Sequence, residues 1–376
     1  MKIIYLSTSR LPTEKAYGVT VLESAKAARS LGIEFDVFSP GSKSDQEVEQ
    51  IVFIPSISFP RLMRNRAVRG IRMALFRFNS ALIPLAAIRN NKFRQAEFIW
   101  LRDPISALIL TFISAQKGIL LEMHHRPVGL GVWLIRKLST KNNVTFAALS
   151  PKLVAQIEED VPGIKIFEAP MGVPKSFFST GKPVFENPII RFLYMGKGES
   201  SGFDNGLEVF VKDFARAHEM YPQISLTFLG LETKYKEEIS KQLVKLGTVG
   251  EKVEFVDHIP HNQVPKILGS HDVGVLPYPE TTYNSERFPL KSLEYAASEL
   301  VIIASDIDCH VNLIGRRNAY FYTPGEVNSF EYQVVELAKN PTLRVQKIAS
   351  AKSWADQFTY EKRIQGVVTN WLGESL

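Results

Sequence analysis

Two carboxylates, Glu286 and Glu294, flank a Phe288-Pro289-Leu290-Lys291 segment. Proline suits the first position of a helix, because its fixed φ is already helical and its missing N–H would go unused there. The pattern therefore predicts a helix from Pro289 with Phe288 as N-cap. Phenylalanine has no side-chain acceptor, so the Leu290 and Lys291 amides are expected to be open donors. A lysine in the first turn also opposes the helix dipole, at a cost of roughly 0.3–1 kcal/mol. Such a terminus is poor for an empty helix and good for one that binds an anion, above all phosphate. Glu286, in the loop before, and Glu294, in the second turn, can face one ligand from different ends. Alone, either would read as a solvated or helix-pairing carboxylate. A second candidate is His124, which with His125 follows an apolar strand; a structural histidine is the rival reading, and the stronger one for His125. Arg102-Asp103 ends another strand and either borders a cleft or forms an internal ion pair.

Strand-like and helical patterns alternate along nearly the whole chain. Lys2–Ser7, Glu34–Phe38, Phe98–Leu101, Ile119–Met123 and Thr145–Leu149 read as strands, with a helix over Val19–Leu31. A Pro/Gly-rich stretch from Ala169 to Pro183 follows. The alternation then restarts with Ile190–Met195, Ser225–Leu229, Val253–Phe255, Val273–Leu276 and Val301–Ala304. Strands alternating with helices imply parallel sheets covered on both faces. Two sheets in tandem are expected, with ligands outside the carboxyl ends of the strands.

The 376 residues include 45 Lys+Arg, 39 Asp+Glu, 24 Phe and 12 Tyr, which excludes a disordered chain and suggests two domains. Cys309 is the single cysteine, so neither an internal disulfide nor a Cys-rich zinc site is available. No run reaches the roughly 18 apolar residues of a membrane span, and the N-terminus lacks a signal-peptide pattern. A cytoplasmic protein is expected. The net charge of +6 divides unevenly, into +10 over residues 1–187 and −4 over 188–376. Nine basic residues and no acidic one lie between Arg61 and Arg94, Arg64, Arg66, Arg69 and Arg72 among them, with bulky apolar residues interleaved. That pattern reads as a face for an anionic membrane surface, or as a solvated helix face. No nucleic-acid motif accompanies it.

Glu286 and Glu294, with Pro-Leu-Lys between them and Tyr295-Ala296-Ala297 after, resemble the E-x7-E signature of retaining nucleotide-sugar glycosyltransferases of the GT-B fold, specifically family 4 (glycosyl transferases group 1). His271 to Tyr278 is similar to the strand before that signature. Arg191 to Lys197 is similar to the opening strand and phosphate loop of the donor domain. Ala169-Pro170-Met171-Gly172-Val173 with Phe177 resembles the linker. Pro12, Gly18 and the helix after them resemble the first loop and helix, and Glu122-Met123-His124 resembles the E-x-H of the acceptor domain.

The resemblance implies an α/β GT-B fold, two Rossmann-like domains with parallel sheets facing across a cleft. Residues 1–183 would bind the acceptor, 184–357 the nucleotide-sugar donor, and a crossover helix over 358–376 would return to the first domain. It implies a metal-independent, retaining hexosyltransferase without a cofactor; the basic, apolar-interleaved segment 61–94 adds the expectation of a lipid-linked or cell-envelope glycan as acceptor. The enzyme would be cytoplasmic, peripheral on the inner face of the membrane. Glu294 would take the ribose hydroxyls and Glu286 the donor-sugar hydroxyls. The Phe288, Pro289, Leu290 and Lys291 turn, with Gly196 and Lys197, would hold the diphosphate, and Lys197 would do so at a single point where the family usually has arginine. Gly18 would admit close backbone approach, His124 would contact the sugar near the reacting carbon, and Ile259 would flank the base. Arg102 would border the acceptor. Asn205 is a departure, since the family usually has a second basic residue there; Lys212 is one candidate to replace it. The alternatives are a sugar-nucleotide-binding protein without transferase activity, or a GT-B phosphorylase-like enzyme acting on soluble sugars.

Overall fold

The computed structural model describes residues 1–11, 13, 16–41, 51–55, 69–179, 189–200, 203–247, 252–285 and 288–373. Two compact units result: Met1–Met171 with Tyr360–Leu376, and Gly172–Thr359.

The first unit is built on a sheet of β1 (Lys2–Leu6), β2 (Glu34–Pro40), β3 (Ile51–Ile54), β4 (Phe98–Leu101), β5 (Gly118–Met123), β6 (Val144–Ala148) and β7 (Ile166–Glu168), all paired in parallel in the order β3-β2-β1-β4-β5-β6-β7. Its helices are α1 (Ala16–Ser30), α2 (Arg69–Ala87), α3 (Asn91–Gln95), α4 (Pro104–Ile113), α5 (Leu130–Ser139) and α6 (Pro151–Asp160). In β1, Ile4 and Leu6 point to the core that α2, α4 and α5 cover, whereas Ile3 and Tyr5 point to the core under α1 and the C-terminal helix. Burial on both faces is why the central strand β4, Phe-Ile-Trp-Leu, is a continuous apolar run instead of an alternating one.

The second unit repeats the plan. Strands β8 (Ile190–Met195), β11 (Ile224–Leu229), β12 (Val253–Val256), β13 (Val273–Leu276), β14 (Val301–Ser305) and β15 (Tyr320–Tyr322) form a parallel sheet ordered β12-β11-β8-β13-β14-β15, and β9 (Glu199–Ser200) with β10 (Phe203–Asp204) makes a small antiparallel hairpin. Helices α7 (Leu207–Met220), α8 (Thr233–Lys245) and α13 (Ser329–Lys339) cover one face; α9 (Val264–Leu268), α11 (Leu290–Ala297), α12 (Asp308–Ile314) and α14 (Pro341–Asp356) cover the other, with α10 (Thr282–Ser285) in the loop before α11. The chain then returns to the first unit as α15 (Tyr360–Leu372), which packs on α1. In each sheet the order reverses beside the first strand, between β1 and β4 and between β8 and β13. Ligand crevices open at such switch points, and the loops there carry Arg102 and Gly196-Lys197.

Candidate functional site

In the second unit, α11 is fixed by its tyrosine. The Tyr295 ring lies on Gly274 of β13, where a Cβ would stand 2.4 Å from the ring, and its Oη accepts a hydrogen bond from the Met195 amide at 3.1 Å. This brings the start of α11 to the end of β8. A Cβ on Gly196 would lie 2.8 Å from Lys291 Nζ and 3.0 Å from Tyr194 Oη, and Gly196 has a φ of +151°. Only glycine meets both conditions without strain. One turn beyond Lys291 on the same helix face, the buried Glu294 bonds His261 Nε2 through Oε1 at 3.0 Å. The His261 ring packs at 5.3 Å against the buried Phe177 ring.

Three sequence expectations change here. Pro289 is the N-cap of α11 and not its first residue, with φ −76° and ψ 78°. Those angles make an inverse γ-turn, in which the Leu290 amide donates to the Phe288 carbonyl at 2.9 Å. The Leu290 amide is therefore not an open donor. Asn205 is buried and donates to Tyr194 Oη at 3.1 Å, so the residue in the expected cation slot braces the tyrosine under Gly196. Lys212, the suggested replacement, pairs with Glu208 at 2.9 Å on α7. Lys197 is half exposed, 3.9 Å from Glu232. Ile259 is half buried against the α11 core, as is Phe288, whose ring lies 6.2 Å from that of Phe358. Glu286 lies outside the described residues.

In the first unit, period-two alternation sets Glu122 on the face of β5 that also carries Leu120, toward α1 and α15. Its carboxylate is buried. Oε2 accepts from Trp100 Nε1 at 2.8 Å and from Arg363 Nη2 of α15 at 2.9 Å; Oε1 accepts from Arg102 Nη2 at 3.2 Å and meets His124 Nε2. Burial alone would raise the Glu122 pKa, but Arg363, Arg102 and His124 hold it well below the usual carboxylate range. An ionised carboxylate only accepts, so Nε2 of His124 carries the hydrogen and Nδ1 is left as an acceptor. Burial and the Arg102 guanidinium outweigh Glu122 and lower the His124 pKa to about 4, keeping the ring neutral at pH 7. Beside this cluster lies a pocket of about 490 Å³ lined by Tyr17, Thr20, Arg102, His124, Pro127 and Ile135, among others.

Arg102 thus meets both sequence readings at once, as it borders the pocket and forms an internal ion pair. Asp103 turns away to cap α4, its Oδ1 accepting from the Ser106 amide at 2.7 Å. At Gly18 an added Cβ would meet the Thr13 carbonyl oxygen at 2.4 Å, so the glycine allows the first loop to lie against the start of α1. Arg64 and Arg66 lie outside the described residues; Arg69 and Arg72 fall in α2, with side chains that are not described. Sequence reasoning missed Arg363 and His261. Among the described residues no three His, Cys, Asp or Glu side chains converge as a metal site.

No curated protein matches the chain by sequence. Solved structures match over nearly the whole chain at low identity. A glycosyltransferase from Rickettsia africae is 15% identical with a TM-score of 0.74, covering 98% of this chain and 97% of its own. Anabaena HepE in complex with UDP-glucose is 14% identical with a TM-score of 0.70, covering 100% of both chains. Sucrose-phosphate synthase from Thermosynechococcus elongatus is 15% identical with a TM-score of 0.68, covering 97% of both. The expected fold class is borne out by these matches. Residues 190–340 match the family described as glycosyl transferases group 1, within a chain that has the fold of GT-B glycosyltransferases.

Proposed function

We propose that the chain is a retaining glycosyltransferase of family 4 that moves a sugar from a nucleotide diphosphate sugar to a glycan acceptor without a metal. The observation that carries this is the meeting of Gly196 with Lys291 Nζ, one helical turn from Glu294, inside the segment that matches group 1 glycosyl transferases. A glycine at a strand end, with an ammonium beside it, lets phosphate oxygens approach backbone and cation together. Lys291 and Lys197 would hold the diphosphate, Glu294 the ribose hydroxyls, Glu286 the donor-sugar hydroxyls, and His124 Nδ1 a sugar hydroxyl. As the sugar–phosphate bond breaks, negative charge grows on the leaving diphosphate, and these fixed cations stabilise it. HepE crystallised with UDP-glucose supports this class of donor. A thermal-shift panel of nucleotide sugars should find a donor, since a ligand at a hundred times its Kd adds about 2.7 kcal/mol of stability. That donor should release nucleoside diphosphate on incubation with the protein, and EDTA should not slow the release. Binding without release would instead favour a sugar-nucleotide-binding protein, which the loss of the usual cation at Asn205 makes the leading alternative.

For the acceptor, we propose a lipid-linked or cell-envelope glycan reached by docking on anionic lipid. No helix among the described residues is long and apolar enough to cross a membrane. However, α2, α4 and α5, adjacent in one layer, contain no acidic residue at all. Their outer surface exposes Phe76, Phe78, Leu85, Phe112, Leu130 and Trp133, with Lys141 over Phe112 and Lys137 over Trp133. Apolar rings ringed by cations and free of carboxylates suit the interface of an anionic bilayer. The protein should co-sediment with phosphatidylglycerol vesicles at low salt and much less at high salt. Each basic residue near such a surface contributes about 1 kcal/mol, so replacing Arg64, Arg66, Arg69 and Arg72 by Gln should weaken partition roughly a hundredfold or more. Equal pelleting of parent and variant would leave the face merely solvated and favour a soluble acceptor.

A further inference from the structure

We propose that the pocket of the first unit takes its ligand by an anionic group, a phosphate or carboxylate, bound by Arg102. Glu122 carries one negative charge and two guanidiniums reach it. Arg363 is fully engaged: Nη2 donates to Glu122, Nε to the Pro170 carbonyl at 2.8 Å and Nη1 to Ser24 Oγ at 3.5 Å, and its side chain is 1% exposed. Glu122 and Arg363 therefore close as a buried pair. His124 is neutral, and the Asp103 carboxylate is turned to its helix cap.

Arg102 is left over. Among the described residues its one hydrogen bond is the 3.2 Å contact to Glu122, and Nε is buried without a partner. The guanidinium lies 4.9 Å from the Tyr17 ring centre and 5.9 Å from that of Tyr5, and these rings hold it at the pocket wall. A cation in excess within a largely buried wall is costly unless an anion joins it, and a fixed, planar guanidinium is suited to oxyanions. Tyr17 and Thr20 share that wall, while Pro127, Ile135 and Met171 supply apolar surface for the remainder of the ligand. On the glycosyltransferase reading this anion belongs to the acceptor; the binding itself does not depend on that reading.

Calorimetric titration of the full chain, with no nucleotide present, tests it with two pairs of probes: glucose 6-phosphate against glucose, and octyl phosphate against octyl glucoside. At least one phosphate should bind tenfold or more tighter than its neutral counterpart. Preference for octyl phosphate would mark a lipid headgroup, and preference for glucose 6-phosphate a soluble sugar phosphate. Arg102→Gln should remove the preference, whereas Arg126→Gln, at a guanidinium paired with Asp160, should keep it. Should Arg102→Gln not fold, the parent still decides: the bound phosphate should protect Arg102 from phenylglyoxal, read by peptide mass spectrometry. Equal affinity for phosphate and neutral probes, or an unprotected Arg102, overturns the proposal. Phosphate binding without nucleotide release in the donor assay would sink the transferase reading and leave this one standing.

Discussion

Glu122→Leu should destabilise the first unit by about 3–5 kcal/mol, the usual cost of removing one partner from a buried ion pair. Four donors converge on this carboxylate, from Trp100, Arg363, Arg102 and His124. A leucine would strand the Arg363 charge at 1% side-chain exposure and leave the Trp100 N–H without an acceptor. Glu122→Gln keeps an acceptor for Trp100 and Arg363 but not the charge, so its loss should be smaller. Urea denaturation of parent and both variants gives the values directly. A Glu122→Leu midpoint equal to that of the parent would show that the cluster adds nothing to stability. The pH dependence follows in sign. Glu122 titrates lower in the folded protein than unfolded, so its contribution is present at neutral pH and lost as the pH falls below the ordinary carboxylate range. His124 acts in the same direction. Its folded pKa of about 4 lies below the unfolded 6.5, so stability falls as pH drops from 6.5 toward 4 and His124 adds no further loss beyond that.

What could be read in the sequence divides along physical lines. Phe98–Leu101, Ile190–Met195 and Val273–Leu276 match their strands residue for residue, because central strands buried on both faces are mostly apolar runs, with Arg191 the one charged residue in these three. Of the strands in the two parallel sheets, those that went unread, Ile51–Ile54, Ile166–Glu168 and Tyr320–Tyr322, all lie at sheet edges and have three or four residues each; the two-residue hairpin strands β9 and β10 also went unread. Edge strands are short by design against aggregation, and leave little periodicity to detect. Local geometry explains the one-residue error at Pro289, where a γ-turn and not a helical first turn precedes α11. The candidate site was legible where its members are neighbours in sequence, as in Glu122 and His124 or Lys291 and Glu294. Arg363 was not, since 241 positions separate it from Glu122 and nothing in the composition of α15 marks that arginine for burial. His261 reaches Glu294 across 33 positions by way of the fold alone.

The proposed donor site yields the second large effect. Glu294→Ala should weaken binding of the free nucleoside diphosphate roughly ten- to hundredfold, as expected for about 1.5–3 kcal/mol of hydrogen bonding to a charged group. The carboxylate is buried at 5% exposure, and its position is set by Tyr295 on Gly274 one residue further along the helix. One of its oxygens is occupied by His261, so a ribose diol must use the other oxygen or displace that imidazole. His261→Ala should therefore change nucleotide affinity less than Glu294→Ala, because it removes a competitor as well as a support. Glu286→Ala, by contrast, should leave nucleoside diphosphate affinity near the parent value and lower turnover of the nucleotide sugar, since its assigned partners are on the sugar. Calorimetry with nucleoside diphosphate and nucleotide sugar on the three variants separates these roles. If Glu294→Ala bound nucleoside diphosphate like the parent, the His261–Glu294 contact would be only structural, and the ribose would have to be held elsewhere in the second unit.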